Sequence, residues 1–207
     1  MSEREHRSAV VVCGGASRRF GDQDKVFADL AGRPLVAHVI DRVEGVVDEL
    51  VVNCHPRQEE RLEVVLEEWK IPLAVDDRPD EGPLPGIRRG LEVATGEYAL
   101  VVACDMPFVD PDFVASLFDR VVEGDLEAAI PRQPGGRLQP LQAVYAVSPF
   151  ARVIEEAIER GVDRPIEPAR ELEHVIVREV PEPDEGPGTF FNVNTPEDLA
   201  VAAAVLE

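Results

Sequence analysis

Ser8-Ala9-Val10-Val11-Val12-Cys13-Gly14-Gly15-Ala16-Ser17-Arg18-Arg19-Phe20-Gly21-Asp22-Gln23-Asp24-Lys25 joins an unbroken apolar run to a glycine-rich, basic turn. A short run without polar alternation reads as a strand buried on both faces, as strands of parallel sheets are. Glu49–Cys54, Pro72–Asp76 and Tyr98–Cys104 read the same way. Segments of helical period lie between and after them. Leu62, Val65, Leu66 and Trp69 share one helix face, Leu84, Ile87 and Leu91 another within Pro83–Ala94, and Phe113, Leu117 and Val121 a third within Pro111–Glu123. Pro34 and Pro111 suit first helical positions, where no N–H is required. Strand and helix alternate, so the expected fold is α/β, a mostly parallel sheet covered by helices.

Beyond residue 125 the pattern loosens. Leu126–Ile130 and Leu141–Val147 read as strands about a turn holding Gly135 and Gly136, Phe150–Ile158 as a helix, and Val175–Val180 as a strand before the Pro/Gly-rich stretch Pro181–Gly188. Thr195-Pro196-Glu197-Asp198 opens a last helix with a cap, a first-turn proline and two acids at the positive helix end. No repeat or linker divides the chain. The expectation is one three-layer α/β/α domain over residues 1–207, with 1–7 a loose N-terminus.

With 21 basic and 41 acidic residues the net charge is −20. A field of that sign repels phosphate backbones and anionic lipid, which argues against nucleic-acid and membrane partners. No apolar run nears the ~18 residues of a membrane span, and the three cysteines, Cys13, Cys54 and Cys104, have no metal-like spacing. A reducing cytoplasm fits them best. Lys25 and Lys70 are the only lysines among the basic residues. An acidic, lysine-poor surface resembles proteins of salt-accumulating organisms, although a GC-rich genome gives a similar composition.

In open α/β sheets ligands sit beyond the carboxyl ends of strands, where strand order reverses. The loop after the first strand is thus the candidate site. Gly14 and Gly15 let backbone N–H groups approach an anion, Ser17 adds a hydroxyl donor, and Arg18, Arg19 and Lys25 neutralise a polyphosphate. Neither dinucleotide nor P-loop spacing is present. At the end of the fourth strand stands Asp105, placed either to hold Mg²⁺ or to cap the next helix or turn; Asp110 and Asp112 are available for capping. His6, His38, His55 and His174 have no ligand spacing, and Cys104 reads as a buried apolar residue rather than a nucleophile. Arg88-Arg89 reads as a helix-face pair or as a phosphate contact.

Gly14-Gly15-Ala16-Ser17-Arg18-Arg19-Phe20-Gly21 with Lys25, Gly82-Pro83-Leu84-Pro85-Gly86, Cys104-Asp105-Met106-Pro107 and Asn192-Val193-Asn194-Thr195-Pro196, in that order, resemble the molybdenum cofactor guanylyltransferase family. The resemblance implies a Rossmann-like nucleotidyltransferase fold and transfer of GMP from GTP to molybdopterin cofactor with release of pyrophosphate. It places Val12, Cys13, Gly14 and Gly15 against guanine and phosphates, and gives Lys25 a phosphate. Asn53 and Asp77 contact the nucleotide, and Asp105 contacts the nucleotide and Mg²⁺. Two departures stand out: Val12-Cys13 where the family has Leu-Ala, and Phe20 where it has Met. Related cytidylyltransferases carry alanine at Gly14, so the glycine favours a purine.

Combining residues and resemblance, Arg19, Lys25 and Asp105 are the expected catalytic groups and Mg²⁺ the expected cofactor. Implied partners are GTP and molybdopterin cofactor as substrates and, transiently, molybdoenzymes or other cofactor-biosynthesis proteins. The chemistry is in-line attack by an already ionised phosphate oxygen, which needs positioning and charge neutralisation rather than a protein nucleophile. Two alternatives stay open, an adenosylcobinamide-phosphate guanylyltransferase and a non-catalytic nucleotide-binding adaptor.

Overall fold

The computed structural model describes residues 5–14, 24–183 and 186–206. In chain order come β1 (Arg7–Val12), β2 (Asp29–Leu30), β3 (Arg33–Pro34), α1 (Leu35–Val43), β4 (Glu49–Cys54), α2 (Glu59–Val65), β5 (Leu73–Val75), α3 (Pro83–Val93) and β6 (Tyr98–Ala103). After them come α4 (Pro111–Gly124), β7 (Ala128–Pro131), β8 (Gln142–Ala146), α5 (Val147–Glu159), α6 (Ile166–Ala169), β9 (His174–Val177) and α7 (Pro196–Leu206).

Seven strands form one sheet in the order β5-β4-β1-β6-β8-β7-β9. β1 pairs in parallel with β4 and with β6, so strand order reverses at β1 and its carboxyl end lies at the crevice. β8 runs antiparallel to β6 and to β7. No helix separates β7 from β8, and strands joined without a crossover helix pair antiparallel. β9 is again parallel to β7. β7 and β9 therefore share direction with β6, and their carboxyl ends lie at the same edge of the molecule.

The apolar strands are buried on both sides, as their composition requires. Ala9, Val11 and Cys13 face a core with α1, α2 and α4, while Val10 and Val12 face a second core with α3 and α5. These two layers with the sheet make the expected α/β/α sandwich. At Gly90, α3 presses so close to β1 that a Cβ would stand 2.3 Å from Val10 Cγ1. A smaller cluster of Leu30, Leu35, Val193 and Ala202 seats the C-terminal helix.

Several local expectations shift. Pro34 does not open α1; it ends β3 in extended conformation, with its carbonyl leading into the helix. Pro111 does take the first helical position, behind Asp110, whose carboxylate accepts from Phe113 N at 2.8 Å. Thr195 caps α7 through a reciprocal pair: Asp198 N donates to its Oγ1 at 3.1 Å, and Thr195 N to Asp198 Oδ2 at 2.9 Å. Strand β9 stops at Val177 rather than Val180.

Candidate functional site

Three strand ends meet at the crevice. The register pairs Val12 with Asn53 and with Ala103, so one row further lie Cys13, Cys54 and Cys104. All three thiols point into the same buried core. Burial, aided by contact with Cys104, raises the Cys13 thiol well above its ordinary value, and burial pushes Cys54 up to about 12. Such groups pack; they do not attack.

Lys25 begins a single 3-10 turn, Lys25–Phe27, capped by Asp24, whose Oδ1 accepts from Val26 N at 3.2 Å. Buried Val26 anchors the turn, and the Arg61 guanidinium covers the Phe27 ring at 4.0 Å. Gln58 ties this turn to β1: its Nε2 donates to Asp24 Oδ2 at 2.7 Å and to the Cys13 carbonyl at 3.3 Å, while its Oε1 accepts from His55 N at 2.8 Å. So held, Lys25 Nζ reaches Asp105 Oδ2 at 2.5 Å. Burial disfavours the Lys25 charge, but the Asp105 and Cys104 neighbours and the hydrogen bond to Asp105 outweigh it, and the ammonium is held above its ordinary value. It stays charged at neutral pH.

Asp105 is buried, and its second oxygen, Oδ1, has no hydrogen bond among the described residues. Its carbonyl accepts from Val193 N at 2.8 Å, which brings the Asn192–Pro196 segment against the site. The cap of the next helix is Asp110, which leaves the Asp105 carboxylate unclaimed by α4. A carboxylate oxygen with no hydrogen-bond donor among the described residues is of the type Mg²⁺ takes, since that ion uses one or two carboxylates and completes its shell with phosphate oxygens and water.

On the opposite side of the row lies a second group. Asn53 is fully buried; its Nδ2 donates to Ala74 O at 3.0 Å and to Asp76 Oδ1 at 3.1 Å. Those two acceptors fix the amide orientation and leave Asn53 Oδ1 buried with no donor among the described residues. Asp76 is buried as well, and burial raises its carboxyl above the ordinary value, with Asp77 adding to the rise. Two glycines pack close against these acceptors. A Cβ on Gly14 would meet Asp76 Oδ2 at 2.6 Å, and one on Gly86 would meet Asn53 Oδ1 at 2.4 Å.

The structure thus brings Val12, Cys13, Gly14, Lys25, Asn53 and Asp105 of the expected set to one strand edge. Gly15, Ser17, Arg18 and Arg19 lie outside the described residues. Asp77 is not in this group: it is exposed and pairs with Arg88 Nη2 at 2.9 Å, and its neighbour Asp76 occupies the pocket instead. Arg88 also meets Glu92 and, on α5, Glu155, and Arg89 meets Glu92, so both guanidinium groups are paired with carboxylates here. His38 and His174 bond the Leu30 and Leu172 carbonyls, and His55 caps the turn after β4. Asp76, Gly86 and Gln58 are the additions. Period-two alternation from buried Ala74 points Asp76 inward, a signal present in the sequence; nothing local singles out Gln58.

The model of the MobA-like NTP transferase domain matches residues 9–185. The "probable molybdenum cofactor guanylyltransferase" of Natronomonas pharaonis is 44% identical over 194 residues, 93% of this chain and 95% of that one. The chain belongs to the molybdenum cofactor guanylyltransferase family. It is a nucleotidyltransferase. Another relative in this family, from Methanosarcina mazei and of the same description, is 36% identical over 95% of this chain and 90% of its own. The crystal structure of molybdopterin-guanine dinucleotide biosynthesis protein A from Archaeoglobus fulgidus superposes with a TM-score of 0.78 at 29% identity, covering 97% of this chain and 98% of that one. The match extends over β1 to β9, so the family assignment includes every residue of the row and of the pocket beside it.

Proposed function

We propose that the chain transfers GMP from GTP to the terminal phosphate of molybdopterin cofactor and releases pyrophosphate. The observation that carries the choice of nucleotide is the pair of buried acceptors, Asn53 Oδ1 and Asp76, that Gly14 and Gly86 approach closely. Asn53 Oδ1 has no donor among the described residues and Asp76 stands beside it. Guanine offers N1–H and an amino group side by side, which satisfies both. Adenine offers one amino group next to a bare ring nitrogen, and an unpaired acceptor in such a pocket discriminates by up to ~10⁴-fold.

In the reaction a phosphate oxygen of the acceptor forms a bond to the α-phosphorus while the bond from that phosphorus to the bridging oxygen breaks. Lys25, charged and anchored by Asp24 and Gln58, neutralises phosphate oxygens. Gly15, Ser17, Arg18 and Arg19 are assigned the leaving pyrophosphate by their place in the loop. Asp105, with Oδ1 open, is the residue that would hold Mg²⁺, which when bound draws charge from the reacting phosphate. Val12 and Cys13 supply the backbone floor under the nucleotide. No helix among the described residues is long and apolar enough to cross a membrane.

The test supplies GTP, CTP or ATP with Mg²⁺ and either molybdopterin cofactor or cobinamide phosphate, and follows pyrophosphate. Turnover is expected with GTP and molybdopterin cofactor, falling by about a hundredfold in Asp105→Asn. Turnover with CTP, or with cobinamide phosphate in place of the cofactor, refutes the assignment, and so does a full rate in the Asn variant for the role given to Asp105.

A further inference from the structure

We propose that Gln58 is a positioning residue for the triphosphate, one that sets the distance between the Lys25 ammonium and the backbone of Cys13. The inference rests on the guanylyl-transfer reading for what lies against those two groups, and on separate hydrogen bonds for the role of Gln58.

Gln58 closes the single turn Pro56–Gln58 after β4 and is 1% exposed. A side chain buried that deeply is ordinarily apolar, because an amide out of water costs free energy unless each polar group finds a partner. Here each does. Oε1 accepts from His55 N at 2.8 Å, while Nε2 donates to Asp24 Oδ2 at 2.7 Å and to the Cys13 carbonyl at 3.3 Å. A backbone N–H on one side and a carboxylate and a carbonyl on the other admit one orientation of the amide. Methionine would fill the same space without any of these bonds, and glutamate would keep only the one from His55. Two donors and one acceptor are required at this position, and glutamine supplies them.

The three partners belong to three different segments. His55 follows β4, Cys13 follows β1, and Asp24 caps the turn that begins with Lys25. Asp24 divides its oxygens: Oδ1 accepts from Val26 N at 3.2 Å inside that turn, and Oδ2 accepts from Gln58. Gln58 therefore fastens the Lys25 turn, through its cap, to the carbonyl of residue 13. The other side of residue 13 is fixed as well, since Cys13 N donates to Asn53 O at 2.9 Å. A lysine head on its flexible four-carbon stem ranges widely unless the backbone beneath it is held. With the turn held, Nζ stands at Asp105 Oδ2 before any nucleotide arrives, and a cation placed in advance stabilises phosphate charge without reorganisation. The amide thus acts on the phosphates through Lys25. It makes no contact with the polar groups assigned to the base, because the Asn53 amide is fixed by Ala74 O and Asp76 Oδ1.

The experiment measures binding of GTP, inorganic tripolyphosphate and guanosine by titration calorimetry in Mg²⁺ buffer, for the parent, Gln58→Met, Lys25→Ala and the double variant. Gln58→Met is expected to weaken GTP and tripolyphosphate about tenfold and guanosine by less than about twofold. In the Lys25→Ala background the same change should add less than about twofold, because the cation it places is gone. A residue that only holds the fold would weaken all three ligands, with or without Lys25. Gln58→Glu brings a second carboxylate onto Asp24 and should lose GTP affinity. Adding Asp24→Asn restores a donor and an acceptor and should recover about threefold or more; this pair carries the test where Gln58→Met does not fold. Guanosine falling in step with GTP, a tenfold effect that persists without Lys25, or no recovery with Asp24→Asn overturns the inference. A parent in which tripolyphosphate shows this coupling to Lys25, but which binds GTP no better than CTP or ATP, refutes guanylyl transfer instead and leaves Gln58 assigned.

Discussion

Replacing Gly86 by alanine tests the proposed base pocket without removing a polar group. A Cβ there would stand 2.4 Å from Asn53 Oδ1, 2.9 Å from its Cγ and 3.0 Å from its Nδ2. Asn53 cannot rotate away freely, because Nδ2 is bound to both Ala74 O and Asp76 Oδ1. Yielding forfeits two hydrogen bonds at about 0.5–1.5 kcal/mol each, and residual overpacking costs about 1–3 kcal/mol more. Alanine regains about 0.8–1 kcal/mol over glycine within a helix. The net loss is about 1–5 kcal/mol; a value near 3 lowers the melting temperature by about 6–12 °C for a chain of this size. GTP affinity should fall about tenfold, since the displaced amide oxygen no longer meets the base. Gly90→Ala is the matched comparison: its Cβ strikes Val10 Cγ1, destabilises the same helix, and leaves Asn53 alone. Calorimetric melting and GTP titration of both variants decide the matter. If Gly86→Ala binds GTP as the parent does, or if the two variants lose affinity equally, the pocket is not where the base lies.

Asp76→Asn should raise stability at neutral pH while weakening GTP binding. Burial raises the folded-state value of Asp76, so the parent loses stability as pH climbs from the ordinary carboxyl value through the folded one; urea unfolding at pH 4 and pH 7 should show that loss in the parent only, and equal pH slopes would refute it. Glu49→Gln works with the opposite sign. Burial raises Glu49, but donors from Thr95 N, Ser8 Oγ and Thr95 Oγ1 more than offset this and lower it, so its stabilisation holds above the ordinary value and disappears as pH falls through the folded one. The variant should lose on the order of 1–2 kcal/mol at pH 7 and converge with the parent only once pH has fallen below the lowered folded-state value; a gap that persists in stronger acid would point to packing instead. Finally, a net charge of −20 repels itself in dilute buffer, so melting temperature should climb steeply between low and molar KCl, and a flat curve would exclude a salt-adapted surface.

The central sheet was legible because its strands carry the signal of two-sided burial without help from neighbours. Ser8–Cys13 and Tyr98–Cys104 read correctly to within a residue, and so did Pro111 at the start of α4. What escaped depends on partners distant in the chain. The insertion of β8 between β6 and β7 is a pairing that no local pattern encodes. Gln58 gains its role from Asp24 and Cys13, each on another element. Lys25 and Asp105 were readable from residue type at a strand end, but their mutual contact was not. The choice between Asp76 and Asp77 shows the limit best. Both are acids after the same strand, and only the pleat, which turns Asp76 inward to Asn53 and leaves Asp77 to Arg88, separates them.

The bond from Val193 N to the Asp105 carbonyl has a consequence for biosynthesis. Asp105 leaves the ribosome with β6, long before its backbone partner exists. At about 5–20 residues per second, several seconds pass before the segment carrying Val193 is made. The sheet order places β1, β4 and β6 together early, so a nascent chain can assemble the edge that carries Asn53 and Asp105 while the Asp105 carbonyl still lacks its donor. Full alignment of that residue comes only as the C-terminal segment folds back beneath it. A chain shortened anywhere between Asp105 and Val193 retains Lys25, Asn53 and Asp105 and yet lacks the tie that sets the angle of the carboxylate.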